Sequence, residues 1–263
     1  MKNYFFKFAS LLILLSLLMV SCSKENIQDV SSVVEPGYIY GNSKGPSYGA
    51  ADLSALANKV AVMHNQSLLK AFEDNNLLKA QNKYDVAKSL NLVSQVKINT
   101  KLAFMENAPQ YLNKLLSSSS YRYLNDAFSL CKNLNKTNYN KLTLSIDSIE
   151  ALVSKNIKDS DEKLVVLTGL AVLDSSAYFW MPVNLGGSGV GFNYVAKVSG
   201  KKPFNLKVSG EWLLADAESA TIGMFYVAVA GAVSAGTATP GALVGVAVTS
   251  AASSAVAALK SWW

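Results

Sequence analysis

Two nearly charge-free runs close this chain, and they restrict its fold more than anything that precedes them. Ala217–Ala235 reads AESATIGMFYVAVAGAVSA, and Ala242–Leu259 reads ALVGVAVTSAASSAVAAL. Each is long enough to cross a bilayer as a helix or to run through the middle of a core. Between them lies GTATPG, Gly236–Gly241, a turn signal with Pro240 near the start of the second helix. Asp216 and Glu218 sit at the positive end of the first helix dipole, and Lys260 at the negative end of the second. Residues 213–263 therefore read as a Gly/Ala-rich helical hairpin. Gly223 and Gly231 are two turns apart, and Gly241, Gly245, Thr249 and Ser253 form a small-residue ladder at four-residue steps. Such ladders let helix backbones approach closely. Ala, Gly, Ser and Thr partition poorly into lipid beside Leu or Ile. The hairpin is thus expected to pack against the rest of the chain rather than to span a membrane.

The stretch from residue 50 to residue 182 has the period of helices. Leu53, Leu56, Val60, Met63, Leu68 and Phe72 recur at three- to four-residue steps, with Asp52 or Ser54 as the N-cap. A second, weaker helix runs from Tyr84 to about Asn99. A third runs from Lys101 to Leu116, bent or split by Pro109. After the polar break Ser117–Ser120, a fourth covers Tyr121–Asn133, and a fifth carries Leu142, Ile146, Ile149 and Val153 on one face. The sixth begins at Ser160, is apolar on most sides and ends at Pro182, so it is expected at the centre. Short polar breaks between helices predict an all-α antiparallel bundle. Residues 183–212 are glycine-rich with short alternating pieces such as YVAKVSG and read as a loop or a small hairpin. GGSGVG lacks the Gly-Lys-Ser/Thr of a phosphate loop, and its glycines neither follow a strand nor open a helix.

Little in the chain points to chemistry. Half of its 263 residues are hydrophobic and 16% are charged, a balance that excludes disorder. The net charge of +6 comes from scattered lysines, with Arg122 the only arginine. Bidentate readout of phosphate or guanine favours arginine, so no nucleic-acid partner is expected. The one histidine, His64, and the cysteine Cys131 are too few for a structural zinc site. A lone helical histidine reads as a satisfied or exposed side chain, and no Gly-x-Ser-x-Gly elbow accompanies it. Cys131 reads as a small buried hydrophobe. The carboxylate groups Glu73-Asp74, Asp147-Glu150, Asp159-Asp161-Glu162 and Asp216-Glu218 fall at helix ends or on polar faces and read as solvated charge. No catalytic, cofactor or metal residue is assigned. Phe179 is expected in the core, and Trp262 and Trp263 in interfacial packing.

The first residues read MKNYFFKFASLLILLSLLMVSC. Lys2 and Lys7 form a positive start, Leu11–Val20 an apolar stretch of signal-peptide length, and Ser21 a small residue before Cys22. This resembles the lipobox of bacterial lipoproteins, with Met19 in place of the usual leucine. The resemblance implies a signal peptide over 1–21, cleavage between Ser21 and Cys22, and acyl chains on Cys22. Each buried methylene contributes roughly 0.8 kcal/mol, so several chains anchor a domain stably to the lipid bilayer. Residues 22–49, rich in Pro, Gly and Ser, read as a flexible tether. No aspartate follows Cys22, and Lys24-Glu25 resembles the charged export tag of some surface lipoproteins. The outer membrane of a cell envelope is favoured, on either face. With Cys22 acylated, Cys131 has no partner for a disulfide inside the chain.

A further resemblance spans most of the chain. His64-Asn65 on an early helix, SSAYFW closing a later one and WLLADAESATIG opening the tail are similar in order to uncharacterised secreted helical proteins with a glycine-zipper-like C-terminus. It implies architecture only. The reading that follows is a membrane-anchored, non-enzymatic lipoprotein that binds an envelope protein or serves envelope structure. The alternative is a membrane-active, pore-forming or bacteriocin-like protein acting through the hairpin.

Overall fold

The computed structural model describes residues 50–73, 77–132, 134, 137–199, 208–229 and 240–260. All of them belong to one unit, residues 48–263. The expected signal peptide 1–21 with Ser21 and Cys22, the expected tether 22–49, Gly231, the expected turn before Pro240, and Trp262 and Trp263 lie outside the described residues.

Ten α-helices and two short 3-10 turns, with no strand, make up the described residues. The order is α1 (Ala50–Glu73), α2 (Lys83–Ser94), α3 (Thr100–Ala103), α4 (Ala108–Leu115) and α5 (Ser118–Cys131), then α6 (Tyr139–Asn156), α7 (Ser160–Trp180), α8 (Val190–Ser199), α9 (Gly210–Val229) and α10 (Pro240–Lys260). The fold is an all-α bundle, as the periodicity predicts. Polar breaks stop and restart the chain through side-chain caps. Asn82, Asn99, Ser117, Asn138 and Asp159 each accept a backbone N–H from the first turn of the helix that follows. Each such cap contributes about 1 kcal/mol. Pro109 splits the expected third helix: it sits in the first turn of α4, where its missing N–H costs nothing.

Four helices form the centre. α1 packs on α7, α7 on α9, α9 on α10, and α10 back on α1, closing a ring. The shorter helices lie around it: α5 and α6 against α7, α2 and α3 against α10, α4 against α9, and α8 across α7 and α1. The central position expected for the helix from Ser160 holds. Every residue of α7 from Leu164 to Ala177 is buried. The hairpin arms α9 and α10 are two of the four walls. α7 and α9 are antiparallel, with Gly169 beside Thr221 and Ser176 beside Asp216. α9 and α10 are also antiparallel, with Ser219 beside Ser253 and Gly223 beside Val246. α1 and α7 run the same way, since Asn65 meets Ser175 while Phe72 meets Phe179. The long excursion through α2–α6 is the crossover that makes this possible.

The small-residue ladder divides. At Gly223 a Cβ would stand 3.3 Å from Val246, a tight fit, and Thr249 and Ser253 are buried. Gly241 is exposed, and a Cβ at Gly245 would meet nothing within 4 Å. Closer approaches lie outside the ladder: a Cβ at Gly169 would fall 2.2 Å from the Thr221 hydroxyl oxygen, and one at Gly210 2.2 Å from the Cys131 carbonyl oxygen.

The glycine-rich connection differs from the loop or β-hairpin expected over 183–212. Tyr194–Ser199 of its YVAKVSG piece lies in helix α8, where Phe192, Val195 and Ala196 are buried at helical spacing. Short apolar runs fit either period, and packing against α7 and α1 selects the helix. GGSG itself folds back over the end of α7. Ser188 N–H donates to Tyr178 O at 2.7 Å and Gly189 N–H to Met181 O at 2.9 Å. Gly186 and Gly189 have φ of +89° and +70°, and a Cβ on Gly187 would sit 2.1 Å from the Met181 carbonyl oxygen. Gly186 and Gly187 N–H groups donate to Val183 O and Pro182 O in the turn itself, and those of Ser188 and Gly189 to Tyr178 O and Met181 O at the end of α7, so these donors are not free to cradle a phosphate.

Candidate functional site

The bundle's interior holds one ionic centre. His64 falls on the buried stripe of α1, four residues from Val60 and four from Leu68. Asp216 falls on the buried stripe of α9, beside Leu213 and Ala217. Both side chains are 0% exposed, and His64 Nε2 lies 2.7 Å from Asp216 Oδ1 across the ring. These two atoms have no other partner than each other. The second carboxylate oxygen accepts from two residues one turn apart on α7, Ser176 Oγ at 2.5 Å and Trp180 Nε1 at 3.2 Å. Asp216 thus receives three donors from two helices.

Hydrogen bonding orients the histidine. Asn65 Nδ2 donates to the Ser175 carbonyl at 2.9 Å, which turns its Oδ1 toward His64 Nδ1, also at 2.9 Å. Both ring nitrogens of His64 therefore face oxygen atoms. The His64–Asp216 pair has the geometry of a salt bridge, sealed in the core. The expectation of solvated charge at Asp216 is corrected: the residue is fully buried, because it occupies the apolar face of α9 and finds a counter-charge there.

Serine, histidine and aspartate do come together here, though not as a nucleophile relay. The carboxylate stands in the middle, and the Ser176 hydroxyl donates to it rather than to the imidazole. A relay places the histidine between serine and aspartate. In this order the imidazole does not face the serine, and all three side chains are fully buried.

A second polar cluster lies between α6 and α7. Asp174 Oδ2 accepts from the Tyr139 hydroxyl at 3.1 Å, and the Tyr139 and Tyr178 rings stand 5.3 Å apart. Burial raises the Asp174 carboxyl, against the pull of hydrogen bonds from Thr143 and Tyr139. Glu150 is pushed up to about 7 by burial, then by the charges of Asp147 and Asp174. Here acids gather without a base.

The remaining candidates fall into place singly. Cys131 is buried, and burial followed by the charge of Glu218 pushes its thiol up to about 12. Glu218 is itself raised to about 7 by burial. The acidic stretch before α7 serves local structure: Asp159 caps the helix and Glu162 accepts from Ser117 N–H at 2.6 Å. Among the described residues no group of three or more His, Cys, Asp or Glu could hold a metal ion. Phe179 packs in the core against Phe72 and Trp180. Ser219 and Ser253 bond each other at 2.6 Å, and Ser253 also donates to the Ala103 carbonyl at 2.9 Å, tying the hairpin to the end of α3.

Comparison of the chain with family models, with curated proteins and with solved structures finds no match.

Proposed function

We propose that this is a lipid-anchored protein of a bacterial cell envelope, held in the membrane through acylated Cys22. Its helical domain acts by binding an envelope partner or by supporting envelope structure. One observation carries the reading. The apolar tail is consumed as two walls of the core, so a membrane anchor has to come from another part of the chain. The lipobox-like sequence ending at Cys22 supplies one. The ionic centre fits the same view, because its groups are spent on one another in the interior.

Metabolic labelling with an alkyne fatty acid in an expressing bacterium tests this. The full chain is expected to take up label and to sediment with membranes. Cys22→Ser is expected to lose the label and to appear in the soluble fraction. Membrane retention of Cys22→Ser through a carbonate wash would make the hairpin the anchor and overturn the reading.

A further inference from the structure

The hairpin carries a capacity that its packing conceals. From Ser219 to Leu259 the chain has no Asp, Glu, Lys, Arg or His. α10, with 21 residues and a mean hydropathy of 1.9, is long and apolar enough to cross a bilayer. It is joined to α9, whose last charged residues are Asp216 and Glu218. Most of what holds both arms in the bundle is apolar contact, which lipid tails replace at little cost. Neutral hydrogen bonds add to it, from Ser253 to the Ala103 carbonyl and between the Tyr226 and Tyr111 hydroxyls. The His64–Asp216 pair adds a charged tie, the costliest of these to break in lipid. Asp216 has His64 opposite one oxygen and the Ser176 and Trp180 donors on the other. Leaving the bundle strips the carboxylate of all three partners, and leaves His64 unpaired on α1. Glu218 does not share this restraint, since it lies toward Cys131 on another side of α9.

We infer that the hairpin α9–α10 has a latent ability to insert into lipid bilayers, and that the His64–Asp216 pair is the lock that holds it in the bundle. The lock works because a small population of opened chains commits to the bilayer only if the hairpin can leave without a stranded charge. The inference goes beyond the proposed lipid anchor and does not depend on it, since the unacylated chain carries both the hairpin and the lock.

Dye release from phosphatidylethanolamine–phosphatidylglycerol vesicles tests it, with the unacylated chain at neutral pH. Three chains are compared: the unaltered one, His64→Leu/Asp216→Val, and Phe72→Ala. The paired apolar replacement removes the lock while keeping the core filled, so the bundle stays folded by circular dichroism. Phe72→Ala breaks the stack with Phe179 and Tyr194, lowers stability and leaves the lock intact. The unlocked chain is expected to release dye about tenfold faster than the unaltered one or more. Phe72→Ala is expected to stay within about twofold despite its lower melting temperature. Release that simply follows melting temperature across the three chains would overturn the inference. So would no release from the unlocked chain. Neither result bears on Cys22.

Discussion

The two buried polar clusters of this bundle solve one problem in opposite ways. At the centre, a carboxylate is satisfied by a counter-charge and two donors. On the flank, the buried Asp174 and the half-buried Glu150 stand near the exposed Asp147, acids among acids, and the cluster is relieved by a proton, with Glu150 raised to about 7. A buried charge needs one or the other, because desolvation otherwise exceeds any attraction. Which solution a site uses decides how it responds to mutation and to pH.

Breaking the centre is expected to have the largest effect. Asp216→Asn keeps the shape of the side chain and removes its charge, leaving His64 sealed in the core without its counter-charge. Loss of one partner of a buried pair costs roughly 3–5 kcal/mol, a large share of a domain's marginal stability. Urea unfolding is the measurement. A midpoint shift of less than about 1 kcal/mol equivalent would mean that His64 is neutral and the centre is not ionic.

The next effect tests how tightly the walls close around the centre. Gly169→Ala, two turns before Ser176 on α7, places a Cβ against Thr221, whose hydroxyl is already fixed by its bond to Ala217 O at 2.7 Å. Overpacking of this kind costs about 1–3 kcal/mol, against a gain of about 1 from replacing a helical glycine. A net loss of about 1 kcal/mol is expected, with recovery when Thr221→Ala is added. Equal losses with and without Thr221→Ala would show that the two helices yield rather than clash.

Much of this organisation is legible in the sequence, down to single elements. The apolar circumference of α7 follows from local rules that tertiary contacts do not overturn. Caps are less legible: Asp52 and Ser54, expected to cap the first helix, lie inside α1, and Asn99, expected at the end of the second helix, caps α3. The ionic centre was within reach as well. His64 sits four residues from Val60 and Leu68, and Asp216 sits three and four residues from Leu213 and Ala220. Two opposite charges on two apolar stripes invite each other. The sequence suggests a helix starting just before Asp216, where the dipole accounts for a carboxylate without a partner; α9 instead starts at Gly210 and places Asp216 well inside the helix. GGSG was hidden for another reason: its glycines are explained by the carbonyls of α7, a contact made only after folding. α8 was lost to an ambiguity of period in a run too short to settle it.

The flank is expected to answer to pH with the opposite sign from an ordinary salt bridge. Its acids bind protons more tightly in the folded state than in the unfolded one. For Glu150 the window runs from about 4.5, the unfolded value, to about 7. Within it the native state holds the extra proton, so stability is greatest below the window and falls as pH rises through it. Glu218 adds a second such slope over the same range. Glu150→Gln is expected to flatten its share, leaving the chain unchanged at pH 4 and more stable than the unaltered one at pH 8, by up to about 1 kcal/mol. Denaturant midpoints across this range decide it; parallel curves for the two chains would mean that Glu150 titrates as if unfolded.

A companion effect separates the roles of proton and donor within that flank. The Tyr139 hydroxyl donates to Asp174 and favours its ionised form, opposing the burial that raises it. In Tyr139→Phe the donor is gone and the ring remains. At low pH, Asp174 is protonated and loses one neutral hydrogen bond, a cost of about 0.5 kcal/mol. At high pH it is ionised, and the lost bond is a charged one, costing about 1.5 kcal/mol. The stability gap between Tyr139→Phe and the unaltered chain is therefore expected to widen as pH rises. In Glu150→Gln the gap widens too, but in favour of the variant. Removing an acid relieves the cluster and removing its donor burdens it, so the two differences diverge as pH rises, from zero for Glu150→Gln and from a loss of about 0.5 kcal/mol for Tyr139→Phe. A gap for Tyr139→Phe that stays constant across pH would show that Asp174 does not change charge in this range. Glu150 alone would then carry the response of the flank.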